Sequence, residues 1–189
     1  STWKVRGSVT ESAGAASELV LRAAKRAGMR SHIYRAGSAS AYSYTMKIAG
    51  TKEVNGVTAT ILSEQSESGM ADETYLVQDS NGISYLGNNN SDDKVTPQLA
   101  PYQIMIFPLE AGSSFVQVDK TDMNTGEDYD WDGRNEVVDV FGTVTVLGFE
   151  TITVPAGTFQ NSAKIETRIT SNLKLSSDSS VMTVVETRA

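Results

Sequence analysis

The sequence predicts a mainly β fold, an antiparallel half-open barrel or sandwich with one N-terminal amphipathic helix. Three observations predict it. Apolar and polar residues alternate in about ten short segments, the period of half-buried strands. Turn signals, Asn55-Gly56 and Ser80-Asn81-Gly82, stand between consecutive segments. A helical period occurs once, over residues 15–27. Many strands with one helix suit an antiparallel sheet closing toward a barrel or a sandwich.

Residues 2–10 read as a short strand, with Trp3, Val5, Gly7 and Val9 on one face and Lys4, Arg6 and Ser8 on the other. Next, Ala15, Ala16, Leu19, Val20, Ala23, Ala24 and Ala27 form one apolar stripe. Ser12 or Ser17 can cap this helix, Gly28 ends it, and Lys25 and Arg26 suit its last turn. The stripe is mostly small Ala and the basic face is modest, so the helix is expected to pack on a sheet rather than lie on a membrane. Residues 1–41 are therefore a strand-and-helix arm, and residues 42–189 an antiparallel β domain.

Within that domain, Tyr42, Tyr44, Met46 and Ile48 alternate with polar residues and lead into the Asn55-Gly56 hairpin. The next pair is ADETYLVQD and ISYLG, where Tyr75, Val77, Ile83 and Tyr85 are expected in the core rather than in a binding patch. Residues 88–112 are irregular, and Pro97, Pro101 and Pro108 bracket QIMIF as a short edge strand. So long a connection often carries function or covers a pocket. Phe115, Val116 and Val118 open another strand. After residue 136 one strand is expected to end near Leu147-Gly148 and another to carry residues 151–154, with a turn at Pro155-Ala156-Gly157. Residues 163–169 and 181–187 alternate as the last strands, with residues 176–180 between them.

The densest chemistry lies at residues 128–139, DYDWDGRNEVVD. Numbered from Asp128, carboxylates fall at positions 1, 3, 5 and 12 (Asp128, Asp130, Asp132 and Asp139), with Gly133 at position 6. That is the spacing of a calcium loop. A hard cation takes six or more oxygens, so alternate side chains must point inward and Gly permits the sharp turn. Arg134 at position 7 and Glu136 at position 9 complete the candidate ligand set. An EF-hand has Glu at position 12, where this chain has Asp139, and it has helices on both flanks, where residues 137–149 read as strand. A calcium loop on a β scaffold fits better, with the ion in a structural role. A solvated acidic loop is the plainer alternative, but crowded like charges call for a counter-ion. Trp131, at position 4, should point outward as a contact residue or pack against its own loop.

The apolar fraction of 39% supports a real core in a chain of 189 residues. No run approaches the roughly 20 apolar residues of a membrane span. No signal peptide stands at the start, which suits a mature or trimmed chain. With no Cys, disulfides and thiolate metal sites are excluded. The net charge of −7 hides a segregation. Residues 1–35 hold seven basic against two acidic residues, a balance of +5, and the remainder balances at −12. Self-association of the basic N-terminal segment with the acidic body is the expected partnership. Nucleic acid is excluded as a partner, because the body would repel phosphate and the arm lacks interleaved aromatics.

The segments GTKEVNGVTAT, DETYLVQDSNGISYLG, FPLEAGSSF and above all GTVTVLGFETITVPAGTFQNSAKIET carry a resemblance. From Tyr42 onward the chain resembles a group of bacterial secreted or lipid-anchored envelope proteins of unknown function. The resemblance implies a half-open β-barrel of the periplasmic lipoprotein-carrier type, with an acidic loop before the TVPAGTF segment. It also implies an extracytoplasmic location and a lipid or envelope partner. This chain has Phe115 where the group has Trp, lacks the group's Trp-Tyr and Gly-rich closing strand, and adds residues 1–41. An extra N-terminal strand beside a missing closing strand suggests strand exchange between subunits.

Catalysis finds little support, since His32 is the only histidine and sits in a basic linker, and Trp3 and Trp131 are few for sugar platforms. The expected protein is a non-enzymatic, calcium-stabilised envelope or cell-surface β protein binding a partner or an apolar ligand. The alternative is a structural subunit of an extracellular filament assembled through its N-terminal segment.

Overall fold

The computed structural model describes residues 2–8, 41–66, 71–154 and 157–188. The expected helix at residues 15–27, His32 and the Pro155-Ala156 pair lie outside the described residues. The described residues form a mainly β fold of two antiparallel sheets, with no closed barrel among them.

The six-stranded sheet runs in simple sequence order: β1 (Thr2–Ser8), β2 (Ala41–Val54), β3 (Val57–Ser66), β4 (Asp72–Asp79), β5 (Gly82–Asn88) and β6 (Tyr102–Ile106). Asn55 and Gly56 both take positive φ (50° and 80°), the geometry of the two-residue turn expected there. β6 is an edge strand, as its flanking prolines require. β5 and β6 approach so closely at Gly82 that a Cβ there would lie 1.9 Å from the Met105 carbonyl oxygen.

The second sheet has the order β10-β9-β8-β7, from β7 (Ser114–Asn124), β8 (Val137–Val154), β9 (Gly157–Lys174) and β10 (Val181–Arg188). Where two strands were expected after the acidic loop, the structure has one, β8. The apparent terminator Leu147-Gly148 is a bulge, and the register shifts between Val146 and Gly148 with Gly148 at φ +154°. β9 is likewise longer than the alternation at residues 163–169 suggested. β7 pairs with β8 only as far as Thr145, and β10 pairs with β9 only as far as Thr167. Beyond those points β8 and β9 continue, among the described residues, as a two-stranded ribbon, with Leu147, Phe149, Ile152 and Phe159 exposed.

The connection from β5 to β6 joins the layers. It holds one helical turn, α1 (Thr96–Leu99). The Asp93 carboxylate accepts the N–H groups of Val95 (3.1 Å) and Thr96 (2.9 Å) and the Asn88 side-chain amide (3.2 Å). Val95 is thereby set into the core with Val118, Met123, Val138 and Val140, and Leu99, Tyr102, Ile169 and Leu173 pack around them. The Gln98 amide then meets the end of β7 twice. It donates to the Asn124 carbonyl (2.8 Å) and accepts the Asn124 N–H (3.2 Å). No helix among the described residues is long and apolar enough to cross a membrane.

Candidate metal centre

The connection between β7 and β8 folds back on itself. Thr125 N–H donates to the Glu136 carbonyl and Glu136 N–H to the Glu127 carbonyl, both at 3.0 Å. This closes the base of a loop. Inside it, Asp128 accepts the N–H groups of Trp131 (2.6 Å) and Gly133 (2.9 Å), and Asp132 accepts that of Arg134 (2.9 Å). Short acidic side chains bonding their own backbone two to five residues on are what drive this turn.

One carboxylate oxygen from each of Asp128, Asp130, Asp132 and Glu136 lies within 4.8 Å of the others. Four hard oxygen donors gathered in this way can hold a metal ion. Glu136 is fully buried (0% exposed), and its Oε2 accepts the Tyr129 N–H at 2.6 Å. Burial pushes the Glu136 carboxyl up, and the charges of Asp130 and Asp128 add to this against the opposing Tyr129 bond. Asp130 is held low, chiefly by the Ser177 N–H that it accepts at 3.0 Å.

Of the residues expected to bind metal, the structure brings together these four. Asp139 lies elsewhere. Glu136, Val138 and Val140 are buried on one face, and an odd offset turns Asp139 to the other. There its carboxylate lies 2.7 Å from Lys174 Nζ and accepts the Asp122 N–H at 2.9 Å. Both bonds hold the Asp139 carboxyl below the usual carboxylate range, the Lys174 bond most strongly. Arg134 remains in the loop, where only its main-chain carbonyl could serve a cation. Position 9, not position 12, thus supplies the last clustered carboxylate.

Sequence reasoning missed the contribution of the β9–β10 turn. Ser176 Oγ donates to Asp132 (2.8 Å) and Ser177 N–H to Asp130, so the turn rests on the same carboxylates. The Ser-rich run at residues 176–180 was the available signal, but nothing local to it indicates register with a loop over 40 residues away. Trp131 stands on the rim, 83% exposed and at φ +64°. Left-handed backbone is unusual for so bulky a side chain, and here it turns the indole out to solvent.

The chain matches no protein-family model, no curated protein and no solved structure.

Proposed function

We propose that this chain is a non-enzymatic, extracytoplasmic β protein of the cell envelope or surface, stabilised by calcium and binding a partner. The convergence of Asp128, Asp130, Asp132 and Glu136 carries the reading. Four carboxylates on an irregular loop suit calcium, which accepts varied geometry, better than magnesium, which demands a near-ideal octahedron. The ion would neutralise crowded charge and fix both the loop and the β9–β10 turn that leans on it. A largely exposed loop of this kind fits the modest affinities of extracellular calcium modules. The resemblance to envelope proteins supports the same location, and exposed Trp131 offers a contact for the partner. A calcium titration by calorimetry tests the reading, and one saturable site is expected. The absence of binding heat, with an unchanged melting temperature on chelation, would remove the metal.

A second reading, a filament subunit, is favoured by two observations. The β8–β9 ribbon presents apolar side chains with no strand beside it among the described residues, and isolated two-stranded ribbons are marginal in water. Among the described residues β1 pairs only with β2, at the sheet edge, and 32 residues of sequence separate the two strands, enough for a strand to be given to a neighbouring copy. Light scattering with and without chelator separates the readings. Large calcium-dependent assemblies favour the filament, and a monomer in both conditions opposes it.

A further inference from the structure

Two Asn-Gly pairs occur in the chain, Asn55-Gly56 between β2 and β3 and Asn81-Gly82 between β4 and β5. An Asn before Gly is where a chain most readily attacks itself, because Gly has no side chain to block the approach. The Gly amide nitrogen bonds to the Asn side-chain carbon Cγ. The bond from Cγ to the side-chain nitrogen breaks, and that nitrogen takes the amide proton and leaves as ammonia. Water then opens the five-membered imide at either carbonyl, giving Asp or isoaspartate. The attack needs a Gly N–H free of other bonds and an Asn–Gly peptide that can turn toward the Asn side chain.

The fold treats the two pairs unequally. The peptide between Asn81 and Gly82 is held at both ends. Its N–H donates to Asp79 Oδ1 (3.1 Å), and its carbonyl accepts the Phe107 N–H (2.8 Å). The Asn81 N–H donates to the same Asp79 oxygen (2.7 Å), and Gly82 is buried against β6. Turning this peptide breaks both of its bonds at once. Asn55 and Gly56 are exposed instead. Nothing lies within 4 Å of the position a Gly56 Cβ would take. Among the described residues, no hydrogen bond from outside the hairpin falls on the Asn55–Gly56 peptide or on the Asn55 side-chain amide. Turning that peptide disturbs only the Val54–Val57 pair, the last rung of the β2–β3 ladder, and such ends open at low cost.

We propose that Asn55 is a site of spontaneous imide formation and deamidation, and that the fold shields Asn81, which carries the same two-residue motif. Each conversion places a new carboxylate at the exposed hairpin tip, two residues from Glu53. Isoaspartate also adds a backbone carbon to a two-residue turn, which the geometry of that turn does not accommodate. The assignment uses no residue of the metal loop.

The test incubates the intact chain at mildly alkaline pH, folded in calcium and unfolded in urea, and follows Asp and isoaspartate at both positions by peptide mass mapping. In the folded chain Asn55 should convert roughly tenfold faster than Asn81 or more, because opening its peptide breaks fewer bonds. In urea the two rates should come together, since the local motif is the same. Asp79→Ala frees the Gly82 N–H and should speed Asn81 in the folded chain while leaving Asn55 unchanged. The native-chain comparison stands whether or not that variant folds. Equal rates in the folded chain, faster conversion at Asn81, or no conversion at Asn55 while the chain in urea converts fully would each overturn the proposal.

Discussion

Replacing Glu136 by Gln should produce opposite effects with and without calcium. The substitution keeps an oxygen to accept the Tyr129 N–H but removes a buried negative charge from beside Asp128 and Asp130. Because the folded-state pKa of Glu136 is raised, its contribution to stability is fully present below the unfolded carboxyl's value of about 4.3 and is lost as pH rises through the folded value. Above the ordinary carboxyl range in chelator the folded chain therefore bears the cost of a disfavoured Glu136 carboxylate, which Glu136→Gln relieves. The variant should melt higher than the native chain there, and the gap should close as pH falls toward the carboxylate range. In calcium the order should reverse. An ion at a hundred times its Kd stabilises the folded state by about 2.7 kcal/mol. At about 2–4 °C per kcal/mol for a chain of this size, the native protein should gain roughly 5–11 °C. Glu136→Gln loses a ligand, and its gain should be less than half of that. Thermal melts followed by circular dichroism at pH 7, in chelator and in calcium, read both effects. Equal calcium shifts in the two proteins, or a variant less stable than the native chain in chelator, would refute the reasoning.

Four further outcomes are expected. Gly142→Ala places a Cβ 2.8 Å from Val118 Cγ2 and 3.6 Å from Ile169 Cγ1, so denaturant melts should show a loss of about 1–3 kcal/mol from overpacking. Tyr85→Phe removes a buried hydroxyl that lacks a well-formed hydrogen bond and should raise stability by about 1 kcal/mol in the same assay. Asp139 is held low first by Lys174, so its stabilising effect is present above the ordinary carboxylate pKa and fades as pH falls through the depressed one; in Lys174→Met its titration, read by carboxyl carbon NMR, should move up toward the ordinary range. Phe149→Ser with Phe159→Ser should leave the monomer's melting temperature nearly unchanged while reducing any self-association seen by light scattering, because both side chains are exposed.

What could be read in advance depended on the range of the physics. The Asn55-Gly56 hairpin was legible because positive φ is a property of two adjacent residues. Within the expected loop at residues 128–139, the gathering of Asp128, Asp130 and Asp132 was legible because alternate spacing around Gly133 encodes its own wrapping. Asp139 was misplaced because loop numbering ignores where β8 begins, and once the strand starts alternation decides which way a side chain faces. The continuity of β8 was hidden by Gly148, which reads as a terminator locally and acts as a bulge when β9 continues opposite it. Ser176 and Ser177 could not be assigned to the carboxylates, since that contact depends on the register of β8 on β9. Tyr75 and Tyr85 were correctly placed inside, because alternation along a single strand is a local signal.

The paired 18-residue strands β8 and β9 have a mechanical consequence. At about 3.3 Å per residue each has a contour of roughly 60 Å, with the acidic loop and the Ser176 turn at one end and the apolar ribbon tip at the other. A pull between these ends runs along the strands, and the two backbones carry it side by side, so the cross-strand bonds are hardly loaded. A pull on the C-terminus would instead peel β10 from β9 one bond at a time, beginning at Arg188 and arriving last at Val181, beside the turn that rests on the carboxylates. The same sheet is thus a stiff tie rod in one direction and a tear strip in the other, and an ion in the loop would act as the stop at the end of the tear.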